Sequence, residues 1–482
     1  MIGKRDRSRR SLFIAGDIEQ FIPDDHLLKR VDRFLDLSWL SKAVKECYCA
    51  DNDRPSIDPE AAVRLMLAGF FQGIVPDRKL MREAQVNIAI RWFAGYELDE
   101  ALPDHSSLSR IRERWGADKF KAIFTKTVQT CIDAGLVSGE TVHVDSTLIR
   151  ADVSWESMVT KQANDVIREN REENGDAADP PKKSGRPRTR DNKQKKVSLT
   201  DPEATMATSS RNHYLEPTYK QHTAVDDQTG ILIDVELTTG EINEGTKLTE
   251  TIERVEGMTG KPIKPVTADK GYFHSVNYRE LDKRGIDAVI PPQRDSNYGK
   301  GPLSIRRFKY DGLHQRLVCP GGRVLTRTSR GKNGWLYKSE RTDCRSCHLC
   351  QHCLPPSAKT RLILIVDGYE ALLRARRRKL NGWDDHTKHL YNRHRYLVEG
   401  IHGEAKTQHG LRRAVRRGLE NVAIQVYLTA AVINLKRLAI ASVGPVRHCF
   451  YIMHCVATNI YKTLTSFGEK YPFSIRSLYI AA

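Results

Sequence analysis

Two short runs, Val142-His-Val-Asp145 and Val266-Thr-Ala-Asp269, have the composition of β-strands, and each closes on an aspartate. Strand and helix patterns take turns around them. Residues 219–226 and 231–238, joined through Asp227-Gln-Thr-Gly230, predict a β-hairpin. A helix over 247–255, a strand ending at Asp269, a helix over 276–283 and a strand over 286–291 follow. Elements in that order bury their apolar faces as a mixed α/β sheet with flanking helices. Ligands of open α/β sheets collect beyond the carboxyl ends of the strands, which is where these two aspartates are expected.

A third carboxylate lies in Arg395-Tyr-Leu-Val-Glu399-Gly-Ile-His-Gly-Glu-Ala-Lys406. On a helix, Glu399, His402 and Lys406 fall within roughly 40° of Arg395, so one face reads plus, minus, imidazole, plus. A solvated helix with i,i+4 ion pairs accounts for that stretch taken alone. Taken with Asp145 and Asp269, it gives three carboxylates from separate elements. Such a set can hold a hard divalent metal while Arg and Lys bind phosphate oxygens.

The residues before this core are helical in pattern. Asp58-Pro59 supplies a cap and a first-turn proline for a helix over 61–71, Asp77 is placed to cap the next, and Asp104 caps 106–115. Three short capped helices form either a packing module or a helix-turn-helix DNA-binding unit, with Arg110, Arg112 and Arg114 as groove or phosphate contacts. The net charge of +18 points to a polyanionic partner. The basic first ten residues lack the apolar run of an export signal, and the apolar stretch 423–435 contains Gln425 and Asn434, which suits a buried helix. Residues 164–196 are polar, acidic and then basic, and are expected to be disordered. Within them Gly185-Arg-Pro-Arg188 is either a solvated linker or a minor-groove arm.

With these motifs in this order, the chain resembles bacterial insertion-sequence transposases of the DDE type, which have an RNase H-like catalytic core. The resemblance runs from about residue 25 to 438 and includes Arg91-Trp-Phe93, Pro103-Asp-His-Ser-Ser-Leu-Ser-Arg110, Asp145-Ser-Thr147, Asp269-Lys-Gly-Tyr272 and the Arg395/Glu399/Lys406 spacing. It implies a metal-dependent enzyme that cuts element ends and joins them to target DNA. Asp145, Asp269 and Glu399 would hold two Mg²⁺ or Mn²⁺ ions, and Arg395 and Lys406 would bind phosphates. Double-stranded DNA, as terminal repeats and target, is the implied partner, with a homodimer in the DNA complex and a cytoplasmic, nucleoid-associated location. The family usually has a tyrosine three residues before the arginine; here that residue is Asn392, with Tyr391 and Tyr396 nearby. Two other readings are a catalytically silent DNA-binding descendant and a nuclease without strand transfer.

The implied domains are a helical DNA-binding region at 1–138, a core at 139–299 and 361–440, and a Cys-rich insertion at 300–360. In the insertion, Cys344, Cys347, Cys350 and Cys353 recur at even spacing around His348 and His352, with Cys319 upstream. Structural Zn²⁺ is the expected occupant, with Cys319 or a histidine able to replace one ligand; a redox cluster or an Fe–S site is compatible with the spacing. Arg412, Arg413, Arg416 and Arg417 follow the third motif and are expected to track a DNA backbone. The tail, 441–482, lacks a periodic core pattern.

Overall fold

The computed structural model describes residues 16–49, 56–161, 195–208, 215–293, 303–354 and 357–442. The arginine arm at 185–188 and the tail beyond 442 lie outside these residues, as does nearly all of the expected disordered segment. Lys195 and Lys196, at the end of that segment, belong to a strand. The chain divides into two units: residues 1–134 with 405–415 and 420–482, and residues 135–404 with 416–419.

The first unit is helical. Asp58 caps Pro59–Phe71 by accepting from the Glu60 N–H, and Asp104 does the same for Ser106 at the start of His105–Asp133. That last helix runs well past the expected end at Trp115, through a break at Gly116, whose φ of 67° is left-handed. Asp77 is not a cap. It opens the helix Asp77–Val86 and binds the buried Arg112 guanidinium through two bonds of 2.8 and 2.9 Å. Arg112 is only 2% exposed, so it is a packing residue rather than the DNA contact expected of it; Arg110 and Arg114 remain exposed. The helix Leu419–Ala441 belongs to this unit from Glu420 onward, with Tyr427 stacked near Phe124 at 6.4 Å. The first domain is therefore not confined to 1–138. The 423–435 stretch is buried as expected, including Gln425 and Asn434.

The second unit is built on a six-stranded mixed sheet. Its strands are β1 (Val142–Arg150), β4 (Thr205–Ala207), β5 (Glu216–Asp226), β6 (Leu232–Thr239), β7 (Pro265–Ala268) and β8 (Asp287–Val289). The short hairpin β2 (Met158–Lys161) and β3 (Lys195–Ser198) stands apart. β6 and β4 share one edge of β5, and the order continues β5-β1-β7-β8. β5 runs antiparallel to β1 and β6, whereas β1, β7 and β8 are parallel, an RNase H-like arrangement. The hairpin and the helices Leu248–Thr259 and Ser275–Lys283 fall where the periodicity predicts them.

The insertion forms its own antiparallel sheet: β9 (Lys309–Asp311), β10 (Arg316–Val318), β11 (Val324–Gly331), β12 (Gly334–Ser339) and β13 (Leu362–Val366). β13 carries it past the expected boundary at 360. The helices Tyr369–Leu380 and Asp385–Gln408 follow.

Candidate active site

The parallel register between β1 and β7 positions the two aspartates. Val142, His143 and Val144 stand opposite Val266, Thr267 and Ala268, and β7 then ends. Asp145 and Asp269 are the next residue on each chain, so two carboxylates leave neighbouring strands, roughly 4.8 Å apart, at one level. Asp145 is not the end of its strand. β1 continues to Arg150 because it remains paired with β5, where Asp145 faces Thr223. What ends there is the parallel ladder. Asp269 caps the turn Lys270–Tyr272 by accepting the Gly271 N–H at 2.7 Å, and Asp145 accepts the Ser146 N–H at 2.8 Å.

A fourth carboxylate joins them. Glu244, in the turn after β6, accepts a short hydrogen bond from the Ser146 hydroxyl. A Cβ on Gly271 would collide with Glu244 Oε1 and stand 2.9 Å from Asp269 Oδ1, so the absence of a side chain at 271 lets the two acids approach. No periodic pattern marks Glu244. Its signal was an acidic residue in a polar turn, which ordinarily means solvent.

The crowding has an electrostatic consequence. Burial, opposed by the Ser146 N–H and reinforced by the fields of Asp269, Glu244 and Glu399, pushes the Asp145 carboxyl up to about 8. Burial and the Glu244 field likewise raise Asp269. Burial above all holds the Tyr272 hydroxyl well above its ordinary pKa, and the fields of Asp145, Glu244 and Asp269 add to it.

Glu399 stands differently. Its side chain is 70% exposed and 3.9 Å from the Arg395 guanidinium, which is 64% exposed, so it contributes to the group through its field. The face predicted to carry four polar residues is divided. His402 is buried and bonded to Thr223 at 3.2 Å, beside Asp145 in the register, while Lys406 is half-buried. A second buried chain fixes the same helix. His394 Nδ1 meets Thr267 Oγ1 at 3.0 Å, Thr267 meets His143 at 2.6 Å, and His143 meets Asp227 at 2.9 Å. Arg393 completes it by donating to Asp227 at 2.6 Å. Burial above all pushes His394 down to about 3 and lowers His143, so both rings are neutral hydrogen-bonding struts at pH 7. These residues escaped the sequence reading because a histidine within Val-His-Val looks like any strand interior.

Of the tyrosines near Asn392, Tyr391 stacks on His394 at 5.9 Å, and burial together with the Asp269 field raises its hydroxyl; Tyr396 is 81% exposed. Arg412, Arg413 and Arg417 are exposed and Arg416 half-buried, with Arg417 donating to the Asp152 carbonyl at 3.0 Å. A donor set of carboxylate oxygens suits a hard divalent cation. Among the described residues, no three His, Cys, Asp or Glu side chains close to metal-holding distance as placed. A cation at Asp145 would therefore draw the side chains inward.

Fold and site together define an RNase H-like carboxylate-cluster protein. The family is given by sequence: the Transposase DDE domain matches residues 186–435, and the Transposase domain (DUF772) matches 16–114. The chain belongs to the DDE transposase family, whose members are DNA-cleaving enzymes. The matched DDE span begins after Asp145, so that residue's assignment rests on the sheet register. Among solved structures, the chain is similar to a cryo-EM structure of piggyBac transposase in a synaptic complex with hairpin DNA. The identity is 11%, with 94% of this chain and 82% of that one covered and a TM-score of 0.34. No curated protein matches.

Proposed function

We propose that this transposase cuts the ends of its insertion sequence and joins them to target DNA, using Asp145, Asp269 and Glu399 as ligands for two Mg²⁺ or Mn²⁺ ions. The observation that carries the reading is the β1–β7 register, which sets Asp145 and Asp269 at one level on neighbouring strands, where burial and neighbouring carboxylates disfavour their charged forms. Bound there, the ions would supply Lewis-acid stabilisation for the attacking and leaving oxygens of an in-line displacement. The protein's part is to hold and orient. Asp145 is anchored by the Ser146 N–H and Asp269 by the Gly271 N–H, which leaves further oxygen lone pairs for ligation. Glu244 adds negative potential and fixes the Ser146 hydroxyl. The His143–Thr267–His394 chain and the His402–Thr223 bond set the rotation of the helix that carries Glu399.

Arg395 and Lys406 are assigned to phosphates near the ions, and Arg412, Arg413, Arg416 and Arg417 to the backbone beyond. The DNA is double-stranded, as terminal repeats and target. Acting on two ends suits a homodimer in the complex, and the working place is the cytoplasm, on the nucleoid. The test is incubation of the full-length protein with supercoiled plasmid carrying the inverted repeats that flank its gene. Nicks at the repeat ends followed by joined products support the proposal. Nicking without joining would reduce it to a nuclease, and binding without nicking to a silent DNA-binding protein.

A further inference from the structure

The cysteines of the insertion include one that lies far from the others in sequence and beside them in the fold. Cys319 opens the turn Cys319-Pro-Gly-Gly-Arg323 between β10 and β11. Its N–H donates to the Arg323 carbonyl at 2.8 Å, the Gly322 N–H donates to its carbonyl at 2.9 Å, and the Arg323 N–H points at its Sγ at 3.3 Å. Cys347 comes to the same place: a Cβ on Gly321 would stand 3.4 Å from Cys347 Sγ and 3.6 Å from Cys319 Sγ. Cys344 follows β12, its Sγ 3.0 Å from the Ser339 hydroxyl. Burial above all raises the Cys353 thiol, and the fields of Cys344, Cys319 and Cys347 add to it. Cys319, Cys344, Cys347, Cys350 and Cys353 line one cavity of about 30 Å³, walled by Phe308, Leu325 and Leu354.

We propose that this cavity is a structural zinc site in which Cys319 and Cys347 are ligands, completed to four thiolates by two of Cys344, Cys350 and Cys353. A tetrahedral ion must be approached from more than one side. The evenly spaced run 344–353 supplies one wall; the β10–β11 turn, with its sulfur over Gly321, supplies the facing one. Five thiols exceed what the ion takes. Cys319 and Cys347 are the two whose sulfurs converge on Gly321, and Cys344, Cys350 and Cys353 line the rest of the cavity. The sulfurs ring the cavity without closing to ligand distance as placed, so metallation would add a rotation of each thiol inward. The ion would tie the β10–β11 turn to the segment after β12 and set the insertion sheet without entering the DNA chemistry.

The experiment uses the full-length protein, purified without chelator, with elemental analysis of the wild type and of the Cys319→Ser and Cys347→Ser variants. One zinc per chain is expected in the wild type, and well under half of that in the two variants. The wild type reconstituted with Co²⁺ gives a readout independent of how the variants fold: the visible bands and sulfur-to-metal charge transfer of a tetrahedral four-thiolate site. No zinc in the wild type, iron with labile sulfide in its place, retention of zinc by Cys319→Ser or Cys347→Ser, or a cobalt spectrum of lower thiolate count would each overturn the assignment.

Discussion

The carboxylate cluster and the cysteine cavity gather metal-binding side chains in opposite ways. Asp145, Glu244, Asp269 and Glu399 come from four elements spread along the second unit; the sheet register pairs Asp145 with Asp269, and the Ser146 hydroxyl and the space at Gly271 bring Glu244 to them. The cysteines come mainly from one ten-residue run, joined by a turn from the adjacent strands. The first group offers hard oxygen donors, and burial opposes the charge of Asp145 and Asp269; the second offers soft sulfur donors. A site assembled by fold topology is therefore destabilising until filled and sensitive to every element that shapes it. A locally assembled site mainly organises its own neighbourhood.

The largest effect that can break this comparison is on chemistry. Asp145→Asn, Asp269→Asn and Glu399→Gln should each lower end cleavage by at least ~10³-fold, because several kcal/mol of charge stabilisation is lost at about 1.4 kcal/mol per tenfold. DNA affinity, measured by gel shift, should change only a few-fold. A variant that keeps near-normal strand transfer is not missing a ligand. Glu244→Gln should be milder, with the Mg²⁺ concentration for half-maximal cleavage rising on the order of tenfold as local negative potential falls. An unchanged metal titration would make Glu244 a support for Ser146 alone.

Stability sharpens the contrast further. The folded-state pKa of Asp145, about 8, lies above its ordinary value of 3.8, so the metal-free folded protein binds more protons than the unfolded chain between those limits. Its stability should fall as pH rises through that window and level off above pH 8. Asp145→Asn should flatten that fall, as read from melting temperatures in EDTA between pH 5 and 8.5; a slope identical to wild type would mean that Asp145 is not charged against its surroundings. The smallest effect concerns phosphates. Arg395→Ala and Lys406→Ala should each reduce the salt slope of DNA binding by about one unit. A lower melting temperature with the slope intact would assign them to structural ion pairs instead.

The sheet was legible because strand and helix periods differ and because apolar residues dominate both. Asp145, Asp269 and Glu399 were legible as motifs, although the strand through Asp145 runs on to Arg150, since pairing with β5 outlasts pairing with β7. Glu244 was not legible, because its neighbours in space are 98 residues and more than two dozen residues away along the chain, at Ser146 and Asp269. The strut His143–Thr267–His394 was hidden for the same reason. In the helical unit, Arg112 looked like its neighbours Arg110 and Arg114 on a basic helix, and only burial against Asp77 separates a packing arginine from a surface one.

The central claim is that the carboxylates work by holding divalent metal. Its most direct test is nicking and joining of a plasmid bearing the element's ends by protein stripped with EDTA, followed by readdition of single ions. Mg²⁺ and Mn²⁺ should restore both steps in the wild type and neither in Asp145→Asn, whereas Ca²⁺, with looser coordination, should permit binding with little cleavage. Full activity in EDTA, or restoration of Asp145→Asn by Mg²⁺, would contradict the account.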